Sequence, residues 1–373
     1  MWQLFLHLPD RYLMGMTVWL CLLALMAYML LMLRRKWKAK PVRMRLVKAG
    51  LGFWCTAGFL TAIELGFALF YDTTDSFDMT NVSRRWSQVH VRPDIKLLAF
   101  KTDEGYKYRD DVAYPLDPPV TATHLLFLGD SFTYGQGIPN VRDRFTNLLR
   151  ARLDRDAKTR DKYVVSNLSM PGTDFAWTEA LLQQLFADQR RVDVAIHVMC
   201  LNDIEIFHQQ FMAFNEELDV LRNCPPTFLL RETYFLNWVY FRCLVLTRRD
   251  VRNYYSFVKD YYAGPAWTRL LKMLDHISDL CRKNDSRFVL VIFPFLHNLG
   301  PDYPFQEAHE QIMAACRERD IVCLDLLPVL RAQADKGLMV NSFDAHPNER
   351  AQRIVAEELQ RQINLFSPRR AAQ

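Results

Sequence analysis

Two short stretches of the chain carry residue types that could perform acyl transfer together. The run Leu128-Gly129-Asp130-Ser131-Phe132-Thr133-Tyr134-Gly135 follows an apolar stretch that reads as a strand. It places Ser131 at the carboxyl end of that strand, where open α/β sheets bind ligands. A serine hydroxyl is a weak nucleophile until a base takes its proton. Near the end of the chain, Phe343-Asp344-Ala345-His346-Pro347-Asn348 supplies such a base. His346 can accept the proton, and Asp344 can hold the imidazole in the required tautomer and stabilise its charged form. Pro347 suits the first turn of a helix, so 344–346 is expected in a loop entering the last helix.

Other chemistries lack their residues. Position 133 is Thr, so the serine run is not the Gly-x-Ser-x-Gly elbow of the α/β-hydrolases. No Gly-Lys-Ser/Thr follows, so it is not a P-loop either. The sequence has no Cys-x-x-Cys and no His-Glu-x-x-His, and its nine histidines are scattered, so neither a zinc site nor any other cofactor is expected.

Four stretches in order resemble the SGNH (GDSL-like) hydrolase family, across about residues 123–365. Gly129-Asp130-Ser131-Phe132 resembles its first block, which implies Ser131 as nucleophile with its backbone N–H facing an oxyanion. Asn167-Leu168-Ser169-Met170-Pro171-Gly172 resembles the second, implying the Gly172 N–H as another oxyanion donor. Leu201-Asn202-Asp203 resembles the third, implying the Asn202 side-chain amide as the remaining donor, and Asp344 with His346 resembles the last. Two positions depart from the family pattern. Cys200 stands where a glycine is usual, and Asp344 precedes its histidine by two residues instead of three. The stretch Glu104-Gly105-Tyr106-Lys107-Tyr108-Arg109-Asp110, then Tyr114-Pro115-Leu116, resembles the segment before the serine block in bacterial membrane-tethered members. The resemblance implies a flavodoxin-like three-layer α/β/α domain and an esterase.

The elements that must position these residues can be read independently. From 124 onward, short apolar runs alternate with amphipathic stretches, the pattern of a parallel sheet covered on both faces. Strands are expected at 124–129, 163–168, 193–200, 287–293 and 320–326, and helices at 141–155, 174–189, 265–283, 305–318 and 347–365. Residues 72–122 read as an irregular lead-in with one short strand at most. The stretch 203–262 interrupts the rhythm with aromatics, among them Phe207, Phe211, Phe214, Tyr234, Trp238, Phe241, Tyr255 and Tyr262. An insertion of that length beside Asn202 is expected to form a lid or substrate wall; the alternative is that its aromatics are the small core of a helical insertion.

Charge sets the beginning of the chain apart. Of 47 basic and 42 acidic residues in 373, positions 1–71 hold nine and two, which leaves 38 basic against 40 acidic in the rest. The net +5 therefore belongs to the first 71 residues, and the slightly acidic remainder argues against a nucleic-acid-binding body. Residues 12–33 carry no charge and 49–71 carry one, Glu64, so both are long and apolar enough for a membrane span. The loop 34–48 between them holds eight Lys and Arg, a density that assigns it to the cytoplasm and the domain after Asp72 to the outer side, the periplasm in a Gram-negative cell. Glu64 is expected either to face a partner, on the first span or on another membrane protein, or to reach water near the interface. Six cysteines fall outside the spans, where disulfides are permitted. Cys224 and Cys243, which bracket a loop-rich stretch, are the best pair for a bridge, whereas Cys200 and Cys323 are expected as buried thiols.

The expected organisation is thus an anchor at 1–71, a lead-in at 72–122 and a hydrolase domain at 123–373. The expected activity is cleavage of an O-acyl ester, the O-acetyl group among the candidates, on an envelope carbohydrate or lipid through an acyl-serine. An O-acetyltransferase would use the same residues, and product analysis with a glycan acceptor separates the two. A non-catalytic, membrane-tethered assembly protein would keep the fold without reacting with an active-site label.

Overall fold

The computed structural model describes residues 2–100, 105–115, 118–207, 209–248 and 253–368, with the backbone alone for 2, 206 and 209–215. Glu104, Leu116 and the side chains of Phe211 and Phe214, singled out above, lie outside the described residues. The chain forms two compact units, Met1–Val89 with Asp219–Arg248, and His90–Leu218 with Arg249–Gln373. This division differs from one at residues 71 and 122, because the middle of the aromatic insertion folds with the beginning of the chain.

In the first unit, helices α1 (Asp10–Lys36) and α2 (Pro41–Leu69) are long and apolar enough to cross a membrane. Trp19 donates to Thr61 Oγ1 at 2.8 Å and Trp54 to the Leu23 carbonyl at 2.9 Å, tying the two together. Only 37–40 are left as a turn, so the expected loop 34–48 is mostly helix. Arg34, Arg35 and Lys36 complement the dipole at the end of α1, and Pro41 opens α2, where its missing N–H costs nothing. Both helices leave large apolar residues exposed, including Val18 at 60% and Phe59 at 66%.

Glu64 is buried in α2, beside Tyr12 of α1, and it also meets a part of the chain far from either span. Its carboxylate accepts the N–H groups of Tyr234 at 2.7 Å and Phe235 at 2.8 Å, at the start of a helix within the insertion, Phe235–Thr247. A carboxylate at a helix N-terminus satisfies donors that have no intrahelical partner and opposes the positive end of the dipole. Cys224 and Cys243 form no bridge; the stretch they bracket is largely helical, and both thiols are free and exposed.

The second unit contains the five strands in the expected places: β3 (Thr123–Gly129), β4 (Tyr163–Asn167), β5 (Val194–Cys200), β6 (Arg287–Phe293) and β7 (Val322–Asp325). They form one parallel sheet in the order β4-β3-β5-β6-β7. Right-handed crossovers from this order put helix Phe145–Arg155 on one face and Phe175–Ala187, Pro265–Lys283 and Gln306–Glu318 on the other. Helix Glu349–Arg361 packs with Phe145–Arg155, completing three layers. Every residue of β5 is buried, as expected for a central strand covered on both faces. Cys323 is half-buried, less than expected, because β7 is the sheet's edge strand.

Two expectations fail here for local reasons. Residues 344–347 are not a loop in a helix's first turn but a strand, β9 (Asp344–Pro347), paired with β8 (Met339–Asn341). The helix starts two residues later because the Asn348 side chain accepts from the N–H groups of Arg350 and Ala351, a standard N-cap. The lead-in is not irregular: it holds helix Asn81–His90 and an antiparallel pair, β1 (Ile95–Leu98) and β2 (Tyr106–Arg109).

The end of β2 is buried through its charges. Arg109 donates to the carbonyls of Gly135 at 2.8 Å and Ile138 at 2.7 Å. The Asp110 carboxylate receives Arg144 at 2.8 Å, Arg150 at 2.9 Å and Asn147 at 3.0 Å. Burial pushes the Asp110 carboxyl up, but Arg144 and Arg150 outweigh it and hold it well below the usual carboxylate range. Asp110→Ala, which strands the fully buried Arg144, is expected to cost about 3–5 kcal/mol in urea unfolding. Since the folded pKa is depressed, that stability is present at neutral pH and disappears as pH falls below the carboxylate range. The variant should therefore show a flatter acid limb than the parent chain.

Candidate active site

Three adjacent strands, β4, β3 and β5, deliver three loops to one edge of the sheet. Ser131 leaves β3 through Gly129, whose φ of +142° lies in a region L side chains rarely adopt. A Cβ there would sit 2.6 Å from the Val198 carbonyl oxygen, so the sharp turn requires glycine. Ser131 then opens a one-turn helix, Ser131–Tyr134, capped by the Asp130 carboxylate, which accepts the Phe132 N–H at 2.9 Å. Phe132, Thr133 and Tyr134 are buried, leaving Ser131 half-exposed at the mouth of the sheet.

The β8–β9 hairpin brings the histidine to this serine. His346 Nε2 lies 2.8 Å from Ser131 Oγ, and Nδ1 lies 2.5 Å from Asp344 Oδ1. The same Asp344 oxygen accepts the His346 backbone N–H at 3.1 Å. The two-residue spacing is explained by the strand: alternate residues share a face, so Asp344 and His346 stand side by side. Asp344 is fully buried and His346 nearly so, with its ring 5.4 Å from that of Phe132. Such a chain can move the hydroxyl proton onto the imidazole while a buried carboxylate stabilises the imidazolium. At Gly137, φ is +79° and a Cβ would meet Val340 Cγ2 at 2.5 Å and Asp344 Oδ2 at 3.3 Å. The loop after Ser131 therefore seats the hairpin directly.

Gly172 and Asn202 emerge from the strands on either side of β3. The Gly172 loop is held by bonds from Met170 N–H and Thr173 Oγ1 to the Gly129 carbonyl, at 3.2 and 3.0 Å. Gly172 is exposed with φ +74°. Asn202 lies in the 3₁₀ turn Leu201–Phe207 after β5. Among the described residues, the backbone N–H groups of Ser131 and Gly172 make no hydrogen bond, and the buried Asn202 Oδ1 has no partner.

Sequence reasoning missed the layer beneath. His197, fully buried in β5, bonds Asp203 Oδ2 through Nε2 at 3.0 Å and Thr178 Oγ1 through Nδ1 at 2.9 Å. Burial lowers the His197 pKa to about 4, so its ring is neutral near pH 7, and burial raises the Asp203 carboxyl well above its ordinary value. Burial, helped by the neighbouring Asp203, pushes Asp130 up to about 7. Burial also raises Glu205 well above the carboxylate range. The available signal was a lone histidine in an otherwise apolar strand. Cys200 is fully buried and its thiol is pushed up by burial, so it packs as an apolar residue.

The model of the GDSL-like lipase/acylhydrolase family matches residues 127–354. No curated protein matches the chain with significance. Among solved structures, TesA is 18% identical, covering 65% of this chain and 99% of that one, with a TM-score of 0.39. Axe2, an acetyl xylan esterase from Geobacillus stearothermophilus solved as a variant, is 14% identical, covering 67% and 98%, with a TM-score of 0.40. A two-domain esterase active on acetylated mannans is 12% identical, covering 67% and 52%, with a TM-score of 0.39. Likenesses of this size carry no argument, and the family assignment rests on the matching family model.

Gly137→Ala should displace the hairpin and with it His346. The expected result is a loss of about 10²-fold in kcat toward p-nitrophenyl acetate with KM little changed, since small misplacements of a catalytic group have that effect. An unchanged kcat in a folded variant would show that the hairpin adapts freely.

Proposed function

The chain belongs to the GDSL-like lipase/acylhydrolase family, and from that premise we propose that it is a membrane-anchored serine esterase acting through an acyl-serine. The observation that carries the reading is the unbroken hydrogen-bond chain Ser131, His346, Asp344. Ser131 Oγ attacks the acyl carbonyl as His346 Nε2 takes its proton. The oxyanion of the tetrahedral intermediate is met by the N–H groups of Ser131 and Gly172 and the amide of Asn202. His346 then gives its proton to the departing alcohol, leaving an acyl-serine. Water, deprotonated by His346, attacks that ester and releases the acid with Ser131 restored. No metal or organic cofactor enters this scheme.

The substrate we propose is an O-acyl ester, the O-acetyl group among the candidates, on an envelope carbohydrate or lipid. Location supports it: α1 and α2 have the length, composition and exposed apolar surface of membrane spans. Eight basic residues between 34 and 48 favour a cytoplasmic turn, which puts the catalytic unit outside.

Ser131→Ala and His346→Ala are each expected to reduce ester turnover to a residual level, and the double variant should be no worse, because nucleophile and base act as one unit. Asp344→Asn should keep the fold and lose most activity, and Asn202→Ala should lose roughly 10²–10³ in kcat. A fluorophosphonate probe should label the parent chain at Ser131; labelling of a folded Ser131→Ala variant would end the esterase reading.

The orientation is tested separately. A reporter active only outside the cytoplasm, fused after Gln373, should be active, and one active only in the cytoplasm should be silent. The opposite pattern would overturn the outward placement.

A further inference from the structure

The helix of the insertion that starts at Glu64, here α3 (Phe235–Thr247), has almost no polar face. Its sequence is apolar except for Asn237, Arg242 and Thr247. Asn237 and Phe241 are turned inward: Asn237 is fully buried, accepting the Asn81 N–H at 2.8 Å and donating to the Leu230 carbonyl at 2.7 Å. Arg242 stands over the Trp238 ring at 5.4 Å. The other side presents Leu236, Val239, Tyr240, Cys243 and Leu246, a stripe at helical spacing, with Leu246 71% exposed. The short helix before it, Phe228–Glu232, adds Phe228 and Leu229, also exposed. Contiguous apolar surface of this kind marks a contact with something apolar.

What lies against it follows from where α3 is pinned. Glu64 is five residues before the end of α2, about 7 Å along a helix axis at 1.5 Å per residue. Around that level the rings gather: Tyr12 on Tyr234 at 5.1 Å, Phe67 on Phe235 at 5.2 Å and on Trp238 at 5.4 Å, Tyr71 on Trp238 at 6.1 Å. Tyr and Trp concentrate where a bilayer meets water. Arg85 closes the end of α2, donating to the carbonyls of Phe67, Ala68 and Tyr71 with its guanidinium 4.6 Å over the Tyr234 ring. Phe70, at the end of α2, is exposed like the stripe.

We infer that α3 and the Phe228–Glu232 turn form an interfacial element that seats Phe228, Leu229, Leu236 and Leu246 in the outer leaflet of the bilayer crossed by α1 and α2. The inference rests on the proposed reading of α1 and α2 as spans. The lipid surface is the occupant because α3 begins at the level where those spans leave the bilayer, fixed by two backbone bonds to one of them.

The test uses the full chain in vesicles of phosphatidylethanolamine and phosphatidylglycerol. A bimane probe is attached at Leu229→Cys or Leu246→Cys after Cys21, Cys55, Cys224 and Cys243 are changed to Ala. Leu22→Cys, exposed within α1, and Lys158→Cys, exposed on the second unit, serve as references. Lipids with a nitroxide near the headgroup should quench positions 229 and 246 at least about threefold more than position 158, as for an interfacial helix. If position 22 is quenched while 229 and 246 respond only to aqueous iodide, the inference is overturned and the spans stand. If position 22 is not quenched by lipid nitroxides at any depth, the span reading falls and takes the inference with it. Shielding of 229 and 246 from iodide in native membranes but not in pure lipid vesicles would name a protein as the occupant and likewise overturn it.

Discussion

The bond between His346 Nε2 and Ser131 Oγ joins residues 215 positions apart, and the α/β unit is organised around closing that distance. Strand β3 carries the serine to the sheet's edge, and Gly129 allows the chain to turn there against β5. On the other side, β9 sets Asp344 and His346 on one face, so the carboxylate is in register with the ring it holds. The loop 135–138 stands between the two, and the buried Arg109 fastens it by two carbonyls. Gly137 in that loop touches the hairpin, so a side chain on β2 fixes the position of the histidine without contacting it.

Charge burial follows a consistent logic around this bond. Where a carboxylate must be ionised for structure, as at Asp110, two arginines and an asparagine surround it. Where negative charge would oppose a developing oxyanion, the acids are shifted toward neutrality by burial: Asp203 and Glu205 strongly, Asp130 to about 7. These shifts act on stability in opposite senses. A raised carboxyl holds a proton in the folded state that the unfolded chain releases, so its contribution falls as pH rises between the ordinary carboxylate range and the folded pKa. The depressed Asp110 contributes in full above the ordinary carboxylate range and loses that contribution as pH falls below it. Neutral His197, wedged between Thr178 and Asp203, holds the turn that presents Asn202 without adding charge to it.

The sequence announces those features that depend on pattern. The five strands read as apolar runs because both faces of a parallel sheet are covered, and Ser131 and His346 could be picked out by residue type and place. Features that depend on partners were silent. The β8–β9 hairpin has strands of three and four residues with no alternation, so Pro347 suggested a helix start that Asn348 supplies instead. The lead-in looked irregular because its buried residues, Arg109 and Asp110, are types expected in water. Glu64 could not be matched in advance, since its partners are backbone N–H groups, which no side chain advertises. The aromatic insertion was visible as an excess of rings, yet nothing in their order said that Tyr255 and Tyr262 would pack with the sheet while Tyr234 and Trp238 would pack with α1 and α2.

The path of the chain has a practical consequence. It passes between the two units at 89/90, 218/219 and 248/249, so the first unit is built from two separate segments and cannot be removed by trimming one end of the chain. A shortened version beginning at Asp72 would lose α1 and α2 but keep 219–248, leaving the N–H groups of Tyr234 and Phe235 without Glu64 and an apolar helix without its support. Separating the second unit therefore requires a second excision, of residues 219–248, inside the hydrolase sequence. For the same reason the two units cannot be exchanged with those of another protein by a single crossover, and they must be inherited and redesigned together.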